Sequence, residues 1–595
     1  MSNNAIPEET LELLKQEITA QSLLNAKLYK GKPNGKAVIG KIMSTKQEFR
    51  KYAANIKELV DLEINRITQL TLLQIEQELN EIAPNKEEQY LNKKKMQIEE
   101  RKSDPLKALP NAKEAEVVLR YAPDPSKFPH LGQGINYLIN RMYADKYKGK
   151  IILRFDDTNP AIVKEEYYKA IKAGMKWLGA TWDKEIKASQ HIDKFHQVAE
   201  QWITQQLLYA CFCQGEVLSK NREEGNACEH RNQSIDQNLK IFQNIQNNKY
   251  TSGQVVLRLV GDLTSDNNVM RDPIMFRIVD QQHPLLDKFY PLFPTYDFES
   301  AYFEATEKIT HVVRSGEFGT MRQELQSYLI TKLGGKVPEF VSFGRVNIQG
   351  CPTKGRVIRE LVTDNIVTGW DDIRLITLAG LKKRGIQPET IRQLAIEVGL
   401  SPQNTKIAWS TLETKSKQNL EKTAKRLYFV PNPVNLHVTD GTEREITLPY
   451  HPLHEDYGNR TIFTNGHFKV AKSDVMNLSI GSIFRLKDLY NVEITEKSKD
   501  GSIIGIYKGE EIIAKTPKIQ WVGPQAVDGE LDVPDLLENE QGEINPNSMH
   551  KMKGSFEENI RNIPKQEVIQ LERVGFAKID KNTKKKIEGN IVHLH

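Results

Sequence analysis

Residues Val117 to Pro160 read VVLRYAPDPSKFPHLGQGINYLINRMYADKYKGKIILRFDDTNP, and the changes of rhythm along them decide the fold. The stretch opens on the β-branched pair Val117 and Val118 and enters a loop stiffened by Pro123, Pro125 and Pro129. Apolar residues then recur at Ile135, Leu138, Ile139, Met142 and Tyr143, which is helical spacing. Gly149 suits a C-terminal stop, and a second apolar run, Ile151 to Phe155, ends in the carboxylate pair Asp156 and Asp157. Strand, helix and strand in so short a span make a βαβ unit, which requires a parallel sheet and a right-handed crossover.

Ligands of such sheets gather outside the carboxyl ends of the strands, and His130, Gly132 and Gln133 stand there at the start of the helix. A helix N-terminus attracts phosphate, because its free N–H groups and its dipole both favour negative charge. Gly132 would let an anion come close to the backbone. Asp156 and Asp157 can face an amine or a hydroxyl in the same crevice. On the residues alone, a histidine at this place also reads as a cap or a packing residue.

The chain has 595 residues, too many for one core, so several domains are expected. Lysine and arginine number 83 against 78 acidic residues, for a net charge of +5, which is compatible with nucleic acid and does not prove it. No run reaches the length of a membrane span, and MSNNAIPEETLELL lacks the layout of a signal peptide. Four cysteines in so long a chain argue against a disulfide framework and for a reducing cytoplasm.

Upstream, Thr10 to Tyr29, Thr45 to Ile67 and the charged stretch Gln74 to Arg101, with Lys93, Lys94 and Lys95, read as helices, and Pro105 and Pro110 mark a boundary. Downstream, Lys164 to Leu178 reads as a helix. Cys211, Cys213, Cys228 and His230 then form a Cys-x-Cys and a Cys-x-His pair joined by a short loop. Thiolate and imidazole ligands in two close pairs suit a closed tetrahedral zinc site, with buried thiols lacking metal as the alternative. From Gln254 the chain alternates strand and turn through VVLRL, MRDPIMFRIVD and FPTYDFESAYFEATEKITHVVRSGEF. TLAGLKKRGIQPETIRQLAIEVGLSP gives two amphipathic helices carrying Ile391, Leu394, Ala395 and Val398 on one face, and Ser401 and Pro402 are expected to start the next, with Trp409 and Leu412 in its core. Lys382, Lys383 and Arg384 suit a nucleic-acid backbone or a solvated helix face. From Arg426 onward the short β runs without intervening helices argue for barrels.

RYAPDPSKFPHLGQG followed by LRFDDTNP resembles the first signature block of class I glutamyl- and glutaminyl-tRNA synthetases, whose usual form is RFAPNPSGPLHIGHA with LRFDDTNP. FPTYDFESAYFEATEKITHVVRSGEF resembles that family's YPTYDFA…GVTHVLRG segment, and residues 338–375 resemble HYGRVSIEGFSLSKSKIREGI…GWDDPRL. KLYKGKPNGKAVIGKIM is similar to the N-terminal extension of the archaeal-type glutamyl enzymes. The resemblance implies a multi-domain chain: an α-helical N-terminal extension (1–108), an α/β Rossmann-type catalytic domain (109–345) with an inserted acceptor-binding and zinc-knuckle region (about 205–290), a KMSKS-like loop with an α-helical stem (346–425), and two C-terminal anticodon-binding β-barrels (426–595).

For the site, the resemblance implies that Arg120 and Arg314 hold a substrate γ-carboxylate, with Arg314 standing where glutaminyl enzymes carry a small uncharged residue. Asp156 corresponds to the acid that holds the α-amino group and Tyr296 to the phenol lining that pocket, while Ala122 and Asp124 form the near wall. Ser300 and Phe318 fall at pocket positions that vary. The implied catalytic set is His130, Gly132, Gln133, Lys354 and Arg356, and the implied metal ligands are the Cys211, Cys213, Cys228 and His230 set. Two departures fall on the ATP-handling loops. Gln133 replaces the second histidine of the HIGH box, preceded by Lys127, Phe128 and Pro129 where Gly, Pro or Tyr, and Leu are usual. Pro352, Thr353, Lys354, Gly355 and Arg356 replace SLSKS, so that the usual catalytic lysine aligns with Gly355. The expected function is glutamate–tRNA ligation in the cytoplasm by a monomer, using L-glutamate, ATP, Mg²⁺ and tRNA(Glu), with structural zinc and no membrane. A glutaminyl enzyme, or a tRNA-binding paralogue with weakened or lost aminoacylation, remains the alternative.

Overall fold

The computed structural model describes residues 7–45, 52–92, 106–316 and 319–595. Residues 1–105 and 106–595 are separate compact units. In the first, helices Glu8–Leu28, Gly35–Thr45, Ala53–Ile67 and Leu72–Ile82 enclose two small cores, one around Leu14, Ile18, Ile42 and Ile56 and one around Leu23, Leu24, Ile75 and Leu79. The span expected as one helix from Gln74 breaks after Ile82, where Pro84 cannot continue the ladder, and helix resumes over 86–92. Helix Gly35–Thr45 was not expected, since its four glycine and lysine positions mask the periodicity of Val38, Ile39 and Ile42. Lys93, Lys94 and Lys95 lie outside the described residues.

The second unit is organised by the βαβ unit. Strands Val118–Tyr121, Lys150–Phe155 and Lys184–Lys187 form a parallel sheet in that order, with Arg120 opposite Ile152. Helices Leu131–Lys146 and Glu165–Trp177 connect them and bury Leu138, Ile139, Tyr143, Ile171 and Met175 with Leu119, Leu153 and Phe155. Beyond Val118–Tyr121 the chain returns as His311–Ser315, paired in parallel with Glu339–Phe343. The returning strand is tied in at its start, where the Thr310 N–H donates to the Val118 carbonyl (3.0 Å) and the Val118 N–H to the Thr310 hydroxyl (2.8 Å). Among the described residues no ladder continues from there, and the sequence order of the strands reverses at this place, which is where doubly wound sheets open a crevice.

Between Lys187 and His311 an antiparallel sheet of Leu208–Cys211, Val256–Leu259, Ile274–Ile278 and Leu292–Pro294 is inserted, covered by helices Ile192–Thr204 and Ile235–Gln246. The segment read as strand and turn after Pro294 holds instead a helix, Tyr296–Thr306, whose Phe298, Ala301 and Phe303 are buried. Ser401 and Pro402 likewise do not start a helix: Thr405–Ile407 pairs in parallel with Val346–Ile348, and the next helix is Trp409–Thr423, with Trp409 and Leu412 buried as expected.

The remainder is two curled sheets of seven strands and a two-stranded hairpin of Arg444–Pro449 with Asn459–Thr464. Arg426–Leu427 and Phe429–Pro431 occupy opposite edges of one, and only Tyr428 separates them in the chain, so the sheet has to curl until its edges meet. Lys518–Ile519 and Trp521–Val522 close the other sheet in the same way across Gln520. Each barrel is therefore sealed by one continuous segment and leaves no long free edge. Among the described residues no helix is long and apolar enough to cross a membrane.

Candidate functional site

A cleft of ≈ 560 Å³ opens at the carboxyl ends of Val118–Tyr121, Lys150–Phe155 and His311–Ser315. Arg120, Ala122, Asp124, His130, Gly132, Gln133, Asp156, Tyr296, Arg314 and Lys354 all line it. Arg356 does not: it lies in the first turn of helix Gly355–Thr363, turned to solvent, with its guanidinium 3.6 Å from Glu360.

At the helix end of the cleft, His130 is the N-cap of helix Leu131–Lys146. Its Nδ1 accepts from the Gly132 N–H (3.1 Å), and the Gln133 amide oxygen accepts from the His130 N–H (3.1 Å), a reciprocal capping box. A neutral ring accepting at Nδ1 carries its proton on Nε2, where it is a donor. Burial, with Lys127 and Arg345 nearby, pushes the His130 pKa down to about 3, so it works as a neutral hydrogen-bonding group. The loop is clamped from behind: the Leu131 N–H donates to the Ile376 carbonyl (2.9 Å), the Leu378 N–H to the Pro129 carbonyl (2.7 Å), and Phe128 stacks on Trp370 with centroids 5.5 Å apart. At the cleft mouth, burial pushes the Asp124 carboxyl up to about 6, with Asp156 and Asp157 adding to it against a hydrogen bond from Ser126.

The opposite end is made of buried charge in pairs. Arg120 donates from Nε and Nη2 to Glu304 Oε1 (both 3.1 Å), and Glu304 is fully buried. Arg154 holds Asp156 through Nε (2.6 Å) and Nη2 (3.1 Å), and the Ser300 hydroxyl accepts from the same Nη2 (2.9 Å). Arg314, 4 % exposed, donates from Nη1 to Gln326 (2.8 Å) and to the Tyr296 hydroxyl (3.3 Å) and lies over the Phe340 ring. Burial lowers the Arg314 pKa, and the Arg120 charge adds to that, so the two guanidiniums act on one region. Glu299 also lines the cleft, 1 % exposed: Thr158 donates to its Oε2 while Oε1 has no partner, and burial with Asp156 beside it raises its pKa well above the carboxylate range.

Away from the cleft, the ligand atoms of Cys211, Cys213, Cys228 and His230 lie within 4.8 Å of one another. Cys211 Sγ and Cys228 Sγ are 3.8 Å apart, and two sulfurs about 2.3 Å from one tetrahedral ion would be ~3.8 Å apart. The His230 Nδ1 is 3.5 Å from Cys213 Sγ. Arg258, 1 % exposed, brings Nη1 to 3.5 Å from Cys228 Sγ and 3.8 Å from Cys211 Sγ, a cation placed to offset thiolate charge. This donor set can hold a tetrahedral metal.

The catalytic-domain model described as tRNA synthetases class I (E and Q) matches residues 116–422. The chain belongs to that family. Models of the same synthetases' anticodon-binding domain match residues 424–509 and 518–580, which between them carry most strands of the two curled sheets, each sheet drawing on both ranges. The glutamate–tRNA ligase of Pyrococcus furiosus is 34% identical over 580 residues, covering 96% of this chain and 98% of its own. Those of Nitrosopumilus maritimus (33%, 96% and 98%) and Methanothermobacter thermautotrophicus (32%, 94% and 96%) are similar along nearly their whole lengths.

Within this synthetase several sequence expectations need correction. Asp157 does not face the crevice beside Asp156; it is buried, accepting from Tyr168 (2.6 Å) and from the Ser189 N–H and hydroxyl (both 2.7 Å). Ser300 serves Arg154 and does not line the cleft, and Phe318 lies outside the described residues. Arg384 is not presented to a nucleic-acid backbone: it is 4 % exposed, over the Trp409 ring and donating to the Val592 carbonyl (3.1 Å). Glu299, Glu304 and Arg345 were missed. The signal for the two glutamates is a carboxyl on an otherwise apolar helix face, which needs either a buried cation or a proton.

Proposed function

We propose that this synthetase activates L-glutamate with ATP as glutamyl-adenylate and passes the glutamyl group to the 3′ end of a glutamate-accepting tRNA. One observation carries the choice of amino acid: Arg314, buried and oriented by Gln326 and Tyr296, ends the cleft beside Arg120. Two guanidiniums suit a carboxylate and give a neutral amide no comparable partner.

Asp156, held by Arg154, receives the substrate ammonium. The α-carboxylate then faces the helix start, where the Gly132 region, the His130 Nε2–H and Gln133 meet the nucleotide phosphates. The carboxylate oxygen attacks the α-phosphorus, pyrophosphate leaves with the bond's electrons, and the work of the protein is positioning and charge stabilisation, with no protein nucleophile. Mg²⁺ held on the nucleotide's own phosphates would neutralise part of their charge. Cys211, Cys213, Cys228 and His230 would hold a structural zinc, the ion their donor types favour.

The test is ATP–pyrophosphate exchange with glutamate or glutamine, with and without tRNA. Glutamate is expected to support exchange at least about a hundredfold better. Preference for glutamine, or no exchange at any tRNA concentration, would leave a glutaminyl enzyme or a tRNA-binding paralogue instead. Metal analysis after exhaustive dialysis checks the cluster: one zinc per chain is expected, and none would reject it.

A further inference from the structure

Two departures from the family pattern, far apart in the chain, touch in the structure. Lys127 stands in the loop before His130 and lines the cleft. Its Nζ reaches to 3.5 Å from the Thr353 carbonyl, in the loop across the cleft. Gly355 follows in that loop, and a Cβ there would lie 3.1 Å from the Lys127 Cδ and 3.2 Å from its Cβ. The stem of Lys127 thus fills the space a side chain at position 355 would need.

The neighbourhood fixes the backbone on both sides of this lysine. Arg359, on the helix that Gly355 begins, donates from Nη1 to the Ser126 carbonyl (3.2 Å), and Phe128 is stacked on Trp370. The ammonium is therefore delivered on a short tether between two anchored points. It lies near enough to the helix start to be, after burial, the main influence lowering the His130 pKa. Negative charge on a nucleotide at that helix start would meet it directly.

We propose that Lys127 is a catalytic residue that donates a hydrogen bond to the pyrophosphate leaving group, the charge usual at position 355 having moved to the loop that precedes the helix. The inference rests on the proposed adenylate chemistry. As the Pα–O bond to the pyrophosphate breaks and the oxygen takes the electron pair, the ammonium stabilises the growing charge and keeps its own proton. A cation used only as charge builds up lowers the barrier without improving amino-acid binding.

The experiment is ATP–pyrophosphate exchange on the full chain with Lys127→Ala, Lys127→Gly and the double variant Lys127→Gly/Gly355→Lys. Lys127→Ala is expected to lower kcat about a hundredfold, the usual loss for one preorganised donor, with the glutamate KM and the melting midpoint little changed. Returning a lysine to position 355 is expected to restore at least about tenfold over Lys127→Gly, a rescue that a merely structural role would not give. Lys127→Ala exchanging within about threefold of the unsubstituted protein overturns the proposal and leaves glutamate activation standing. A double variant no better than Lys127→Gly also overturns it. No exchange by the unsubstituted protein at any tRNA concentration removes the glutamate-activation reading itself, and this one with it.

Discussion

The two ends of the cleft are built differently. At the end proposed for the amino acid the charges are buried in pairs, Arg120 on its strand with Glu304 on helix Tyr296–Thr306, and Arg154 on its strand with Asp156 one residue past that strand's end. At the nucleotide end they sit on the loops around His130 and Thr353, and Lys354 is exposed. A triphosphate is long and accepts cations from several directions, whereas a single carboxylate in a closed pocket accepts them from few. That contrast explains why this chain matches the family pattern at the first end and departs from it at the second.

The largest expected effect of breaking the contrast is at Arg120. Arg120→Ala would leave Glu304 a buried carboxylate without its cation, at a cost of ~3–5 kcal/mol of stability, seen as a lower midpoint in urea. A double variant, Arg120→Met with Glu304→Leu, should recover most of that stability and still bind glutamate poorly. If it binds normally, Arg120 serves only the fold.

Arg314→Ala is next. Loss of a charge-assisted partner in a desolvated pocket should cost ~3 kcal/mol, or more than a hundredfold in kcat/KM for glutamate, mainly through KM. A fall in kcat alone would move Arg314 from recognition to chemistry.

Glu299→Gln should change exchange at pH 7 by less than about threefold, because burial and the Asp156 charge favour the neutral carboxyl, whose shape the amide copies. A large loss would mean that the ionised form binds the substrate ammonium alongside Asp156. The smallest effect expected is at His130. Its folded pKa is depressed below the unfolded value, so it takes up no proton between pH 5 and 8, and its contribution to stability is present above about pH 6.5 and falls as the pH drops from there towards 3. Its ring carbon resonance should stay fixed from pH 5 to 8, and movement centred near 6.5 would place the ring in water.

Much of this was legible locally. The helical spacing after Pro129, the run Ile151 to Phe155 and the short strands after Arg426 each carry their own period, and the structure has those elements. The four metal-type ligands were also legible, since two tight pairs need only one loop to meet. Two readings failed, and one contact stayed hidden, for reasons that local pattern cannot carry. Asp157 looks like the twin of Asp156, but successive residues at a strand end face opposite ways, and Asp157 meets Tyr168 and Ser189 in the core. Arg356 flanks the right loop, but the helix beginning at Gly355 turns it outward. The meeting of Lys127 with Thr353 and Gly355 spans the whole catalytic region, and only the fold brings it about.

Two buried guanidiniums, Arg120 and Arg314, are proposed to make one end of the cleft a carboxylate receptor. Calorimetric titration with glutamyl-sulfamoyl-adenosine and its glutaminyl counterpart, on the unsubstituted protein and on Arg314→Ala, tests it most directly. At least about a hundredfold preference for the glutamyl compound is expected in the former, and its near disappearance in the latter. Equal affinities in the unsubstituted protein, or a preference that survives Arg314→Ala, would contradict it.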